Sequence, residues 1–235
     1  MPAQREQLVL ASTSPRRREL LALLGIPFVV CPAAVPEDPL PGEPPGDMVV
    51  RLSASKARYV ARERPERFVV GSDTSVSLFD AGGWRIFGKP TSRGDARRML
   101  SELEGREHAV HTGYAVLDRN RGLMWRGYQE ARVRLRHLEP AQMDAYVASG
   151  VADDKAGAYA VQDKEQRLVD RLDGCAAAVM GLPLCALRNV LLKLGLPVAD
   201  ISRVSEGCSR LTGQECCLSS SAGCPAWVEY AEETG

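Results

Sequence analysis

Four short stretches of this chain bring hydroxyls, carboxylates and cations together at spacings that chemistry can use. The first is Ser12-Thr13-Ser14-Pro15-Arg16-Arg17-Arg18-Glu19, which follows the apolar run Leu8–Ala11. Ser14 at an N-cap and Pro15 at the first helical position predict a strand, a tight turn and a helix start. Free backbone N–H groups there attract an anion, and Arg16 and Arg17 can add paired, charge-assisted bonds to phosphate oxygens. The same pattern also describes an ordinary capped surface helix whose arginines face solvent.

The second stretch is Gly71-Ser72-Asp73-Thr74-Ser75, after the apolar Val69-Val70. It reads as a buried strand that ends at a glycine and delivers a carboxylate to the rim of a sheet, where open α/β sheets place ligands. Asp73 can bind a divalent cation, orient water as a base, or cap the turn with Thr74 and Ser75. Gly71 is expected to keep a side chain out of the way of a substrate. The third feature is a pair of lysines: Lys89, fixed on the Gly88-Lys89-Pro90 turn, and Lys56, on a helix after a proline-rich loop. Either suits an anion, and either can be an ordinary solubilising lysine. The fourth, Asp153-Asp154-Lys155-Ala156-Gly157-Ala158-Tyr159, is dense in polar groups between secondary elements, as a binding loop or a plain connection would be.

Other chemistries lack their patterns. There is no GxxxxGK[ST] phosphate loop, G-x-S-x-G elbow, HExxH helix or aromatic-basic RNA-binding strand. His108 and His111 are three apart on a predicted strand, which puts them on opposite faces and disfavours a shared metal. Cys208, Cys216, Cys217 and Cys224 cluster in the last 28 residues. They can form disulfides or hold zinc, but they lack the paired C-x-x-C spacing of a usual structural zinc site.

The elements that must carry these residues alternate. Strands are predicted at Leu8–Ala11, Ile26–Cys31 and Phe68–Gly71, separated by helices from Pro15 to Leu24 and from Asp47 or Val49 to Arg64. That order implies an α/β sheet with parallel neighbours and right-handed crossovers. Val76–Phe79 and Trp84–Phe87 read as a hairpin, and Ser92 caps a helix over Arg93–Leu103. His108–Leu117 and Met124–Leu135 are two long strands. A helix from Pro140, a short strand at Leu168–Leu172 and a helix at Leu184–Leu194 follow.

At 235 residues, with 45% apolar and 26% charged residues, the chain can bury a substantial core as one large domain or two lobes. Its 30 basic and 30 acidic residues cancel, which argues against a dedicated nucleic-acid binder. No apolar run reaches the roughly 18 residues of a membrane span, and the first residues lack a signal peptide's hydrophobic stretch, so a cytoplasmic protein is expected. Cys31, Cys175 and Cys185 lie in apolar contexts, as reduced core cysteines do. From Val198 onward six acidic residues face two basic ones, a net charge of −4. The composition break places a domain boundary near Gly195–Pro197: residues 1–197 as the domain, and 198–235 as an irregular, cysteine-containing acidic extension.

The blocks LASTSPRRRELL, VGSDTSV, GKP, ML-x-x-L-x-GREH-x-V-x-TG, DKAGAYAVQ and GLPL stand in this order from Leu8 to Gly195. In that order they resemble the Maf family of nucleoside triphosphate pyrophosphatases, related in fold to the inosine triphosphate pyrophosphatases. The resemblance implies an elongated, twisted mixed sheet with flanking helices and a cleft between two lobes. It implies hydrolysis of a nucleoside triphosphate between the α and β phosphates, to a monophosphate and pyrophosphate, with Mg²⁺ or Mn²⁺. By motif, Ser14, Arg16 and Arg17 would hold phosphates, and Lys56 and Lys89 would neutralise the polyphosphate. Glu37 and Asp73 would hold the metal, Asp73 also as base or water-positioner, while Thr74 and Gln162 would lie near the substrate. A triphosphate carries about four negative charges, and its hydrolysis needs such cations and a carboxylate to orient water.

Thr74 and the intact DKAGAYAVQ resemble the dTTP/UTP subgroup, whereas Ser72 resembles the 7-methyl-GTP subgroup. The longer block favours dTTP/UTP. Three departures stand out: Pro36 before Glu37 in place of an acidic pair, Asp163 after Gln162 in place of glycine, and Cys175-Ala176-Ala177-Ala178 in place of an aromatic stretch. The last change can widen a pocket or weaken a subunit interface. A homodimer is expected from the family. The alternative from another class is a non-catalytic nucleotide-binding protein linked to septum formation.

Overall fold

A computed structural model describes residues 8–151, 153–162, 167–219 and 227–233. Its centre is an eight-stranded mixed sheet with the path β2-β1-β3-β5-β6-β7. β1 (Leu8–Leu10), β2 (Phe28–Val30) and the first part of β3 (Phe68–Asp80) run parallel. β4 (Gly83–Phe87), β5 (Glu107–Asp118), β6 (Leu123–Leu135) and β7 (Val169–Asp173) add antiparallel pairings. The crossovers between the parallel strands are α1 (Pro15–Ala22) and α2 (Pro45–Glu63). Both begin on a proline, whose fixed φ and missing N–H suit a first helical turn. The mixed α/β sheet and its flanking helices match the expected fold class.

β3 corrects one expectation. It does not end at Gly71 but continues through Asp80, so Asp73 sits in the middle of a 13-residue strand. β5 pairs with it continuously from Phe68 to Ser77. The other edge is interrupted: β1 accompanies β3 only as far as Val70, and β4 joins only at Val76. Residues 71–75 therefore face a notch between β1 and β4. The Val70 carbonyl accepts from the Ala11 N–H on that side. By the two-residue repeat of a strand, the backbone of Ser72 and Thr74 faces the notch as well.

The core divides about this notch into two lobes. On one side, even-numbered β3 residues such as Phe68 and Val70 pack with α1, α5 (Ala176–Val179), α6 (Leu184–Lys193) and α7 (Ile201–Thr212), while Val69 packs under α2. On the other side, Val76 and Leu78 pack with Phe87, α3 (Arg93–Leu103), α4 (Pro140–Ala148) and Tyr159. α2 lies very close to the sheet because two glycines lie beneath it. A Cβ on Gly71 would come 2.1 Å from the Ser53 carbonyl oxygen, and one on Gly113 would come 2.3 Å from that of Val49. Gly71 thus makes room for a helix, not for a substrate.

The described residues of the extension include a helix and a strand. Asp200 caps α7 through the Arg203 N–H, and Val204 and Cys208 join the core cluster, with α7 packed against α5. β8 (Trp227–Glu233) pairs antiparallel with β6 over Leu123–Gln129, beside the stretch that β7 covers. Polar residues on the exposed side of α7 gave it a loop-like composition, while its apolar positions bury. Among the described residues, no helix is long and apolar enough to cross a membrane.

Candidate active site in the strand notch

The notch opens into a cavity of about 670 Å³, lined among others by Ser14, Arg16, Arg17, Glu37, Lys56, Asp73, Thr74, Lys89 and Gln162. Every sequence-expected site residue is in that lining. They come from six separate segments, and the chain order of the motifs gave no hint of their common side.

Lys56 is the centre of charge. α2 holds it 5% exposed, and its Nζ lies 2.6 Å from Asp73 Oδ1 and 2.6 Å from Glu37 Oε1. The close seating of α2 on Gly71 and Gly113 brings this amine down to the strand. Asp73 is also buried, whereas half of the Glu37 side chain is accessible from the loop before α2. Burial pushes the Glu37 carboxyl up, but Lys56, then Lys89 and Arg17, outweigh it and hold it below the ordinary carboxylate range. Glu37 is therefore ionised at neutral pH.

Arg17 approaches from the other face of β3. Its Nε donates to the Gly181 carbonyl at 2.9 Å, Nη2 to Thr74 Oγ1 at 3.3 Å and Nη1 to Ser12 Oγ at 3.4 Å. Burial lowers its pKa against the opposing pull of Asp73 and Glu37, yet a guanidinium stays cationic at neutral pH. Thr74 is in turn fixed by Thr112, whose hydroxyl lies 3.2 Å from Thr74 Oγ1 and 2.7 Å from the Ala178 carbonyl. Strand alternation thus puts Asp73 with Lys56 on one face and Thr74 with Arg17 on the other.

Ser14 stands at the N-cap of α1 as expected, without the side-chain bond of a cap, and its backbone N–H is bound by Ser12 Oγ at 3.2 Å. Arg16 reaches across the cavity mouth to Asp154, at 3.2 Å, and Lys155 pairs with the same carboxylate while donating to the Val151 carbonyl at 2.6 Å. Lys89 is exposed on its turn, and the adjoining Gly88 carbonyl accepts from the Gly157 N–H. Sequence reasoning named the Asp153–Tyr159 loop but not the Arg16–Asp154 bridge. It also passed over Ser12, whose hydroxyl serves both Ser14 and Arg17; the residue lay in the recognised block without a distinguishing signal.

Ser72 points away from the cavity, fully buried, with its hydroxyl 2.7 Å from the Gly113 carbonyl and 2.9 Å from that of Gly181. Ala177 and Ala178 are packed in the core, and it is the following Val179, Met180 and Gly181 that line the cavity. The Asp163 departure lies outside the described residues, as does Cys224. His108 and His111 are apart as expected: His108 Nε2 lies 2.8 Å from the Tyr159 hydroxyl, and His111 faces Glu130 at 3.2 Å.

Asp73 and Glu37 converge on one positive centre, so their oxygens stand where a hard cation can be shared with substrate phosphates. Two carboxylates completed by phosphate and water oxygens are a usual donor set for Mg²⁺ or a similar ion.

The chain is similar to known proteins over most of its length. The family model described as Maf-like protein matches residues 7–194. A dTTP/UTP pyrophosphatase of Geobacter sulfurreducens is 45% identical over 193 residues, covering 82% of this chain and 98% of that one. A dTTP/UTP pyrophosphatase of Gloeobacter violaceus is 46% identical over 186 residues, 79% of this chain and 94% of its own. One of Moorella thermoacetica is 43% identical over 192 residues, covering 82% and 97%. With a match of this extent behind the same blocks that line the notch, the chain belongs to the family of Maf-like proteins.

Proposed function

We infer that this protein hydrolyses nucleoside triphosphates, dTTP and UTP foremost, between the α and β phosphates, releasing a nucleoside monophosphate and pyrophosphate. The observation that carries the reading is the Glu37–Lys56–Asp73 cluster in a cationic cleft, in a chain whose relatives are named dTTP/UTP pyrophosphatases.

In this reading Lys89 and Arg16 draw the triphosphate to the cleft, and Arg17, already fixed by Gly181 and Thr74, binds a phosphate without further ordering. Lys56 holds the Asp73 carboxylate in place through the 2.6 Å ion pair. Asp73 accepts the proton of the attacking water, and Lys56 and Arg17 stabilise charge that grows on the pyrophosphate leaving group. Asp73 and Glu37 would hold a divalent cation, which would further neutralise the phosphate oxygens when bound. Thr74 and Gln162 border the remaining cavity and are assigned to substrate contact. We assign the protein no nucleic-acid or membrane partner, a cytoplasmic place of action and a homodimeric state.

The test is a panel of nucleoside triphosphates with Mg²⁺ or Mn²⁺, read for both products. Pyrophosphate and monophosphate in equal amounts, fastest from dTTP or UTP, are expected. Orthophosphate as the product, or no release from any nucleotide, overturns the reading.

A further inference from the structure

Outside the nucleotide cleft, five cysteines converge from four segments of the chain. Cys175 opens α5, Cys185 lies in the first turn of α6, Cys208 near the end of α7, and Cys216-Cys217 just beyond it. All five are buried in one cluster. The Sγ atoms of Cys175, Cys185 and Cys217 all lie within 4.8 Å of one another, and those of Cys185 and Cys217 are 3.1 Å apart. Cys216 adjoins this group as the chain neighbour of Cys217 and is buried in the same cluster.

We propose that Cys175, Cys185 and Cys217 bind a zinc-class cation through their thiolates, with Cys216 completing a four-sulfur set. Around a tetrahedral zinc with bonds of about 2.3 Å, ligand sulfurs stand about 3.8 Å apart, between the closest and the widest separations here. Soft sulfur donors select zinc over Mg²⁺ or Mn²⁺, which take oxygen. The site is thus separate in chemistry as well as place from the carboxylates of the cleft. Cys185 also engages in a disulfide in this structure. A sulfur so bonded cannot ligate a cation, so the two states exclude each other and the metal site belongs to the reduced chain. A disulfide at Cys185 does not account for the packing of Cys175, Cys208, Cys216 and Cys217 around it; ligation accounts for three of these contacts at once.

The location gives the ion a task. It ties the segment after α7 to the starts of α5 and α6. The α5 segment then presents the Ala178 carbonyl to Thr112 and the Gly181 carbonyl to Arg17 and Ser72. The zinc site would therefore brace the back of the cleft without touching substrate, and the proposal stands whatever nucleotide the cleft takes.

The experiment is elemental analysis and thiol counting on the full chain, purified without air or chelator. About one zinc per chain is expected, with all seven cysteines titrating as thiols once the protein is denatured with a chelator. Replacing the zinc by Co²⁺ should give sulfur-to-cobalt charge-transfer bands and the intense visible bands of a tetrahedral site. The zinc content should fall several-fold in C175S and C217S, with a lower Tm. A wild-type chain without zinc that takes up no Co²⁺ overturns the proposal, whether its cysteines titrate as thiols or two of them are lost to a disulfide. So does undiminished zinc in both variants. If the variants fail to fold, the wild-type zinc content and cobalt spectrum still decide.

Discussion

Lys56 Nζ stands 2.6 Å from Asp73 Oδ1 at the one place where β3 lacks a neighbour on its outer edge. The helix that supplies the amine and the strand that supplies the carboxylate meet there because Gly71 and Gly113 leave no Cβ between them. Replacing Lys56 by methionine leaves Asp73 buried without its cationic partner. Turnover should fall at least about 100-fold, and stability, read by urea denaturation, should drop by about 3 kcal/mol. Near-wild-type turnover and stability would show that Lys56 does not hold Asp73 in its working position.

Gly71→Ala tests the seat of α2. The added methyl meets the Ser53 carbonyl oxygen at 2.1 Å, and that atom belongs to helix backbone and cannot swing aside. A loss of about 2 kcal/mol or more is expected from overpacking, read by urea denaturation, with kcat reduced as Lys56 is lifted from Asp73. Unchanged stability would mean that α2 sits farther from the sheet.

Arg17→Lys keeps the charge and discards the fork. A lysine cannot serve Gly181, Thr74 and Ser12 together. KM for the nucleotide should rise roughly 10-fold, as for loss of one charge-assisted contact, with a smaller change in kcat. An unaltered KM would place the phosphates elsewhere in the cavity.

His108 makes stability depend on pH. Burial lowers its pKa from 6.5 to about 4, so between those values the unfolded chain binds a proton that the folded one does not. Folding stability is therefore full above about pH 6.5 and declines as pH falls toward 4, by about 3 kcal/mol in total. His111, whose pKa burial also lowers despite Glu130, adds in the same direction. Urea melts of wild type and H108Q at pH 7 and pH 5 should show a shallower decline in the variant. Equal slopes would contradict the assignment.

Much of this molecule was legible in its sequence, for physical reasons that also mark the limits. Proline at a helix start, the Ser92 cap and the alternation of β5 and β6 are local signals, and each element formed where they stand. Gly71 misled because a glycine before polar residues looks like a strand end; only the Ser53 carbonyl above it, 18 residues away in the chain, explains it. α7 was missed because its composition is that of a loop, and its buried side rests on partners distant in the chain, α5 among them. The site residues could be named from their motifs. Their arrangement could not, since it rests on β1 stopping at Val70 and β4 starting at Val76. Ser72 shows the cost of reading neighbours alike: beside Asp73 and Thr74 in sequence, it turns into the core and can influence the cleft only through Gly181.

The most direct test of the account is pyrophosphate release from dTTP by wild type and D73N, measured beside the Tm of each. Asparagine keeps the size of the side chain and removes the base. The account predicts that D73N melts within a few degrees of wild type and releases pyrophosphate at least about 1,000-fold more slowly. Near-wild-type release by a folded D73N would contradict it.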